Sequence, residues 1–433
     1  MKIKFGIPRG LYLFGVLFMS RIYTEFFVAW EGDPLLRYYA FALLGITVWV
    51  TMRNLRYLTG AMGWWFGLTV LSLVLLAFES YGGWGRWFVY LHVFSKLTDF
   101  LLVFGVYAYY QRWGLPDLKL LIGSIPPILF LNLVIFHPET FTMEGFLKQE
   151  RGVSSASAFL LILPLLYYLN VYFKKGSMLY LIAFFSTLAL IVFLQHRTVW
   201  VTTGIVLAID LLLLMRTVSV RPTLKRVVPM LVLPVLAVSL GGLAIVLNNE
   251  AVQKKFEQNI ADIRNPEKQG TGNFRLNQFE AYVPFLQEYP IAGMRLKGFE
   301  LPIQFYHRNT GEAVWANGTG HHFHSFYVDR LFYFGLLGLL LAVAPPIYLV
   351  LKRLRQPAPM TLEAVTLVAY VCGGLVYGVS YNWPDYYLGL LGLALSAATV
   401  ADTAPAPVPA LSRPVTRQPK ADHASIPSVL LHS

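Results

Sequence analysis

Residues 318–351, GTGHHFHSFYVDRLFYFGLLGLLLAVAPPIYLVL, pass from a polar stretch with three histidines into a long apolar run. From residue 325 onward that run exceeds the roughly 20 residues a helix needs to cross a bilayer at 1.5 Å per residue. It is one of many. The 433 residues are 56% hydrophobic and 13% charged, with a mean hydropathy of +0.55. A soluble domain cannot hide that much apolar surface, and long runs with few charges read as transmembrane helices. Strands of a closed barrel would alternate with period two, and these runs do not. The implied fold class is an all-α polytopic membrane protein.

Twelve apolar segments are expected to span, at about 10–30, 38–52, 62–79, 87–110, 119–137, 155–173, 178–195, 198–215, 227–247, 325–351, 361–380 and 385–401. The second and twelfth are short. The first reads as a retained helix, because no small-residue cleavage site follows MKIKFGIPRGLYLFGVLFM before Arg21 and Glu25. The organisation follows: helices 1–9 over 1–247, a large outer loop over 248–324, helices 10–12 over 325–401, and a Pro/Ala-rich disordered tail over 402–433. No internal repeat is visible. The single cysteine, Cys372, rules out an internal disulfide framework and reads as a small packing residue.

Charge orients the chain. With the amino terminus inside, nineteen Lys and Arg fall on the cytoplasmic side, from Lys2 and Lys4 to Arg417 and Lys420. The short outer loops hold only Arg37, Arg86, Lys148, Arg151 and Arg197. The positive-inside rule then puts both termini in the cytoplasm. It also accounts for the net charge of +12, so no nucleic acid is implied. The large outer loop is balanced, with eight basic and eight acidic residues. Any anion site there must come from particular arginines. Within it, NFRLNQFEAYVPFLQEYP sets Phe274, Gln278, Tyr282 and Phe285 near one helical face, which suggests an interfacial amphipathic helix that Pro284 interrupts.

This orientation places His324 on the outer face, where the tenth helix begins. Ser325 can cap that helix, and the positive helix end would lower the pKa of His324, keeping it a neutral proton acceptor. Taken alone it reads first as an interfacial histidine with one end wet. Gly335 lies eleven residues on, three helical turns, and so shares the face of His324; Gly338, a turn further, would let a neighbouring helix approach. Arg197, in FLQHRTVW, is either a boundary anchor or a phosphate ligand. Arg275 is a second candidate, with Arg295 and Lys297 weaker. His321, His322 and His324 have no cysteine or carboxylate at ligand spacing other than Asp329, so no metal is expected. Inside the spans, Arg21 with Glu25 and Lys96 with Asp99 share helical faces as candidate ion pairs, and Asp210 has no local partner.

His324-Ser325, nine residues and Gly335-Leu-Leu-Gly338 match the pattern H-[NSQ]-x9-G-x-x-[GTY], and in this the chain resembles the bacterial O-antigen ligases. Two more elements are similar to that family. One is Arg275 followed by Pro290-Ile-Ala-Gly293; the other is His196-Arg197-Thr198 outside an earlier helix. Met294 and Arg295 stand where relatives often have a further glycine. The resemblance covers roughly 180–395 and implies a GT-C-like, metal-independent glycosyltransferase with no cofactor. Such an enzyme transfers polysaccharide from undecaprenyl diphosphate to a sugar hydroxyl of lipid A-core at the periplasmic face of the inner membrane. It implies diphosphate binding by Arg197 and Arg275, and a base at His324 with inversion at the anomeric carbon. His322 shares the candidacy for the base. Related architectures serve an O-antigen polymerase or a protein O-oligosaccharyltransferase. A transporter would be expected to show repeats or paired interrupted helices, which this sequence lacks.

Overall fold

The computed structural model describes residues 8–28, 33–216, 223–239, 249–264, 270–301, 323–356 and 358–400. Among these residues the structure is helical, with no strand. The chain opens with α1 (Arg9–Leu17), α2 (Arg21–Thr24), α3 (Pro34–Arg53) and α4 (Gly60–Trp84). There follow α5 (Leu91–Thr98), α6 (Leu101–Trp113), α7 (Leu118–Gly123), α8 (Ile125–Phe136) and the short α9 (Met143–Lys148). Next come α10 (Ser155–Leu160), α11 (Ile162–Lys175), α12 (Met178–Phe193), α13 (Arg197–Leu214) and α14 (Leu224–Ser239). Between α14 and the last helices lie α15 (Glu250–Arg264), α16 (Gly270–Glu288) and α17 (Lys297–Glu300). The chain returns as α18 (Phe326–Arg355), α19 (Leu362–Tyr377) and α20 (Asp385–Val400).

Among the described residues, seven helical stretches are long and apolar enough to cross a membrane: 34–53, 60–84, 91–113, 118–136, 155–175, 197–214 and 326–355. The apolar helices α12 and α19 are shorter. The expected first span is divided, because α1 ends at Leu17 and α2 begins at Arg21. The expected disordered tail, 402–433, lies outside the described residues.

Burial sorts these helices. In α11 and α6 nearly every residue is buried, whereas α3 and α4 leave most of their apolar side chains exposed. A helix that is hydrophobic all round belongs in a core or in lipid, and both kinds occur here. The centre is α20, packed on α6, α19 and α18. Gly392 lets the two backbones meet there, since a Cβ on it would lie 2.3 Å from the Val103 carbonyl oxygen. Several core polar groups are tied to backbone oxygens. Tyr387 Oη donates to Val371 O (2.8 Å), Tyr386 Oη to Ala156 O (2.5 Å) and Trp383 Nε1 to Gly374 O (2.7 Å). An unsatisfied polar group in hydrocarbon costs several kcal/mol, so these bonds are what makes so aromatic a core tolerable.

The charged residues expected inside the spans find partners, not always the expected ones. Arg21 Nη2 meets Glu25 Oε1 at 3.1 Å, and Glu25 also accepts from Asn132 Nδ2 at 3.2 Å. Lys96 does not pair locally with Asp99. Its Nζ lies 2.6 Å from Asp329 Oδ1 on α18 and 4.6 Å over the Tyr333 ring. Asp99 stays within electrostatic reach of Lys96, but the salt bridge itself goes to Asp329. Asp210 accepts from Asn170 Nδ2 at 2.9 Å, a partner far away in sequence.

Candidate active site

The 30-residue α18 is broken at Gly335, whose φ of 62° and ψ of −159° only glycine adopts readily. A break leaves the N–H groups of Leu336 and Leu337 and the carbonyls of Phe332 and Tyr333 without their i→i−4 partners. Residues 290–295 supply all four. Leu336 N donates to Pro290 O (2.8 Å) and Leu337 N to Ile291 O (3.0 Å); Met294 N donates to Phe332 O (2.8 Å) and Arg295 N to Tyr333 O (2.8 Å). The Pro290–Gly293 element is thus inserted as a surrogate turn. Gly335 accordingly does not continue the face of His324 on an unbroken helix. The glycine at 338 accommodates Phe334, whose Cβ would lie 2.0 Å from an added one; no neighbouring helix is its nearest contact.

The start of α18 is fixed separately. Ser325 Oγ accepts from Val328 N (3.4 Å) and donates to Gly378 O (3.3 Å), while Phe326 N donates to the same carbonyl (2.9 Å). Phe326 stacks on Trp383 with centroids 3.8 Å apart, and Asn382 Nδ2 donates to Phe323 O (2.6 Å). His324 is therefore held from both sides by the 374–383 segment while keeping an exposed face. Its pKa lies below the ordinary 6.5, first through partial burial of the ring and then through the positive charge of Arg275. The direction is the one expected from sequence; the neighbour responsible is an arginine.

Arg275 comes from α16, which lies against α18 through Tyr282, whose ring meets Phe323 at 4.9 Å and Phe332 at 5.5 Å. The proposed amphipathic face thus packs on protein: Gln278 and Tyr282 are buried, and Pro284 sits inside the helix. The Arg275 guanidinium lies 4.6 Å over the Tyr381 ring. Arg197, the first residue of α13, is within electrostatic reach of both Arg275 and Tyr381. So Arg275 bears electrostatically on both His324 and Arg197.

Three residues that sequence reasoning left aside join this group. Arg151 interacts with Tyr381 and Arg197, and Lys255 with Arg151 and Arg197. Burial, then Arg151 and Arg197, lower the pKa of Lys255. Tyr381 lies among the arginines. Only Arg151 carried a hint, as one of the few cations in the short outer loops. Arg295 belongs elsewhere: its Nε meets Glu79 Oε2 at 2.7 Å. That pair sits at the rim of an apolar cleft of about 700 Å³ between α4 and the second half of α18, lined by Leu75, Leu97, Phe334 and Leu341. His322 lies outside the described residues. Among the described residues no three His, Cys, Asp or Glu side chains group as metal ligands.

Comparison with curated proteins gave no match. The family that the sequence does match is the O-antigen ligases: their family model aligns with residues 152–343, the segment that carries Arg197, Arg275, His324 and the Gly293–Gly335 junction, and it supports that family for this chain.

Proposed function

We propose that this membrane protein is an O-antigen ligase. In this reading it transfers a polysaccharide from undecaprenyl diphosphate to a sugar hydroxyl of lipid A-core, at the periplasmic face of the bacterial inner membrane. The observation that carries the reading is the position of Arg275, which acts electrostatically on the neutral His324 and on Arg197 together. A glycosyl diphosphate needs fixed positive charge where its leaving group gains negative charge, and guanidinium supplies it at any pH. An acceptor hydroxyl needs a neutral base within hydrogen-bond reach, and a histidine with a depressed pKa is neutral at physiological pH.

The chemistry then balances simply. The acceptor oxygen attacks the anomeric carbon and its proton passes to the His324 imidazole. The bond from that carbon to the diphosphate oxygen breaks, undecaprenyl diphosphate leaves on Arg197 and Arg275, and the anomeric configuration inverts. No cofactor takes part. The apolar cleft beneath Arg295 and Glu79 is suited to the hydrocarbon chain of a lipid substrate. The reading carries with it twelve spans in a GT-C-like arrangement, as the resemblance implies, and cytoplasmic termini with an outward-facing site, which the distribution of Lys and Arg supports.

The test is complementation of a strain that lacks its own ligase but keeps a compatible polymerase, with lipopolysaccharide and lipid-linked glycan both examined. The wild type is expected to restore long O-antigen on core, and His324→Ala to leave polymer on the lipid carrier. A wild type that fails there, but lengthens single-repeat chains in a polymerase-deficient strain, would make the protein a polymerase.

A further inference from the structure

We propose that Arg151 is a third guanidinium ligand for the donor diphosphate, aimed by His196 in a fixed tautomer. The inference rests on the reading of Arg197 and Arg275 as diphosphate ligands and adds a residue that lies just outside the family match.

The fixed tautomer follows from one hydrogen bond. His196 Nε2 is 3.0 Å from the Val153 carbonyl oxygen, which can only accept, so Nε2 carries the hydrogen. In the neutral ring Nδ1 is then a lone-pair acceptor, and Arg151 Nη1 lies 3.4 Å from it. The ring is buried, and burial followed by the charge of Arg151 pushes its pKa down to about 3, so it stays neutral beside the guanidinium. His196 also precedes Arg197 directly. One imidazole therefore sets the position of Arg151 while its own backbone carries the next arginine.

A second arm holds the same guanidinium. Arg151 Nη2 donates to Gln149 Oε1 (3.3 Å), Gln149 Nε2 to Asn259 Oδ1 (3.1 Å), Asn259 Nδ2 to Gln195 Oε1 (3.1 Å) and Gln195 Nε2 to Phe146 O (2.9 Å). Both glutamines have positive φ, 63° at Gln149 and 52° at Gln195, a conformation side chains other than glycine adopt at a cost. This amide chain joins the α9 loop, the α12–α13 turn and α15, and its end is Arg151.

What the arrangement leaves open is the anion. Among the described residues Arg151 and Arg275 form no salt bridge with a carboxylate, and the buried Nε of each has no hydrogen-bond partner. Arg197 and Lys255 add two more positive charges beside Arg151. Like charges held together with buried donors are unfavourable alone and are offset by a multiply charged anion. A diphosphate, with oxygens spread over two phosphoryl groups, can meet three guanidinium groups; a monophosphate offers fewer oxygens and less charge.

The full-length protein in detergent would be titrated with farnesyl diphosphate and farnesyl monophosphate, and donor and acceptor KM would be measured alongside. Arg151→Gln keeps a donor for His196 and removes the charge, Arg151→Lys keeps the charge, and Arg197→Ala and Arg275→Ala are comparators. Arg151→Gln is expected to weaken diphosphate binding by about 10- to 100-fold. It should affect the monophosphate less and raise donor KM with acceptor KM unchanged, and Arg151→Lys should recover part of the loss. If the comparators lose diphosphate binding and Arg151→Gln and Arg151→Lys both bind like wild type, Arg151 is structural and the inference is overturned. If neither comparator loses binding, the diphosphate reading itself has failed.

Discussion

Gly293 and Gly335 meet backbone to backbone: a Cβ on the first would lie 2.5 Å from the Gly335 nitrogen, and one on the second 2.4 Å from the Ile291 oxygen. Two sequence elements far apart in the chain, the Pro-Ile-Ala-Gly stretch and the glycine eleven residues past His324, are therefore one structural joint. The joint sets the first turns of α18 at an angle to the rest, while Ser325 and Phe326 pin their start to Gly378. His324 is placed by these two constraints together.

Gly335→Ala should therefore lower stability strongly. The backbone conformation alone costs about 1–3 kcal/mol for a residue with a side chain, and the clash with Ile291 adds to it. Gly67→Ala is the control, since a Cβ there meets nothing within 4 Å inside a helix, and it should be neutral or slightly stabilising. Melting temperatures of the two variants in one detergent decide the matter; equal values would mean the joint is dispensable.

Ser325→Ala removes the cap of α18 and the bond to Gly378, which should cost about 1 kcal/mol. It should also reduce transfer, because His324 is the neighbouring residue. Ser325→Asn keeps a side-chain acceptor for Val328 N and a donor for Gly378 O, and should restore most of both. This is a physical reason for the serine, asparagine or glutamine in the H-[NSQ] pattern. Turnover and melting temperature of the pair, measured together, test it; an asparagine variant no better than alanine would exclude capping as the reason.

The apolar, helical character of the chain was legible because it rests on local composition, and Arg197, Arg275 and His324 were singled out as candidates by their boundary positions and by resemblance. Arg151 and Tyr381 were not, since only folding brings them beside Arg197, and no spacing links three separate loops. The break at Gly335 was hidden for a different reason. Apolar residues continue on both sides of it, so periodicity reads one helix, and the competing hydrogen bonds come from residues 290–295. Lys96 shows the same limit. Asp99 is its natural partner by spacing, but the salt bridge goes to Asp329, 233 residues on, which only folding brings near.

That pair, with side chains only 8% and 2% exposed, gives a stability prediction. Asp329→Asn leaves the Lys96 ammonium buried without its counter-ion and should cost about 3–5 kcal/mol. Replacing both, as Lys96→Met with Asp329→Leu, should recover part of the loss: the Lys96 charge is gone, while Arg330, buried and 3.8 Å from Asp329 Oδ2, still loses that counter-ion. Thermal unfolding of the single and double variants gives the coupling; an additive double variant would show that the ion pair is not what matters.

His196 predicts an acid-side loss of stability. Its folded pKa is about 3 against 6.5 when unfolded. Between those values the unfolded chain binds the extra proton, so stability is complete above about pH 6.5 and declines as pH falls toward about 3. At pH 4.5 the loss attributable to this ring is about 2–3 kcal/mol. His196→Asn should lower stability at neutral pH but flatten the decline between pH 6.5 and 4.5. Melting curves of both proteins across that range are the check, and parallel slopes would remove His196 as the cause.

His324 titrates for a related reason, but its cause can be separated. Partial burial and Arg275 both disfavour the imidazolium, so the ring stays neutral to a lower pH than an ordinary histidine. If His324 is the base, the acidic limb of kcat should fall below pH 6.5, with full activity above it. Arg275→Gln removes the second cause and leaves the first, so the pKa should rise toward 6.5 without reaching it. Activity is a poor readout for that variant, because Arg275 is also proposed to bind the diphosphate. Nuclear magnetic resonance of isotopically labelled histidine, assigned with His324→Gln, reads the ring directly. An upward shift in Arg275→Gln would establish that the two groups are electrostatically joined in the membrane protein as it stands in solution. An unmoved titration would mean that burial alone sets His324, and that the arginine serves the leaving group without tuning the base.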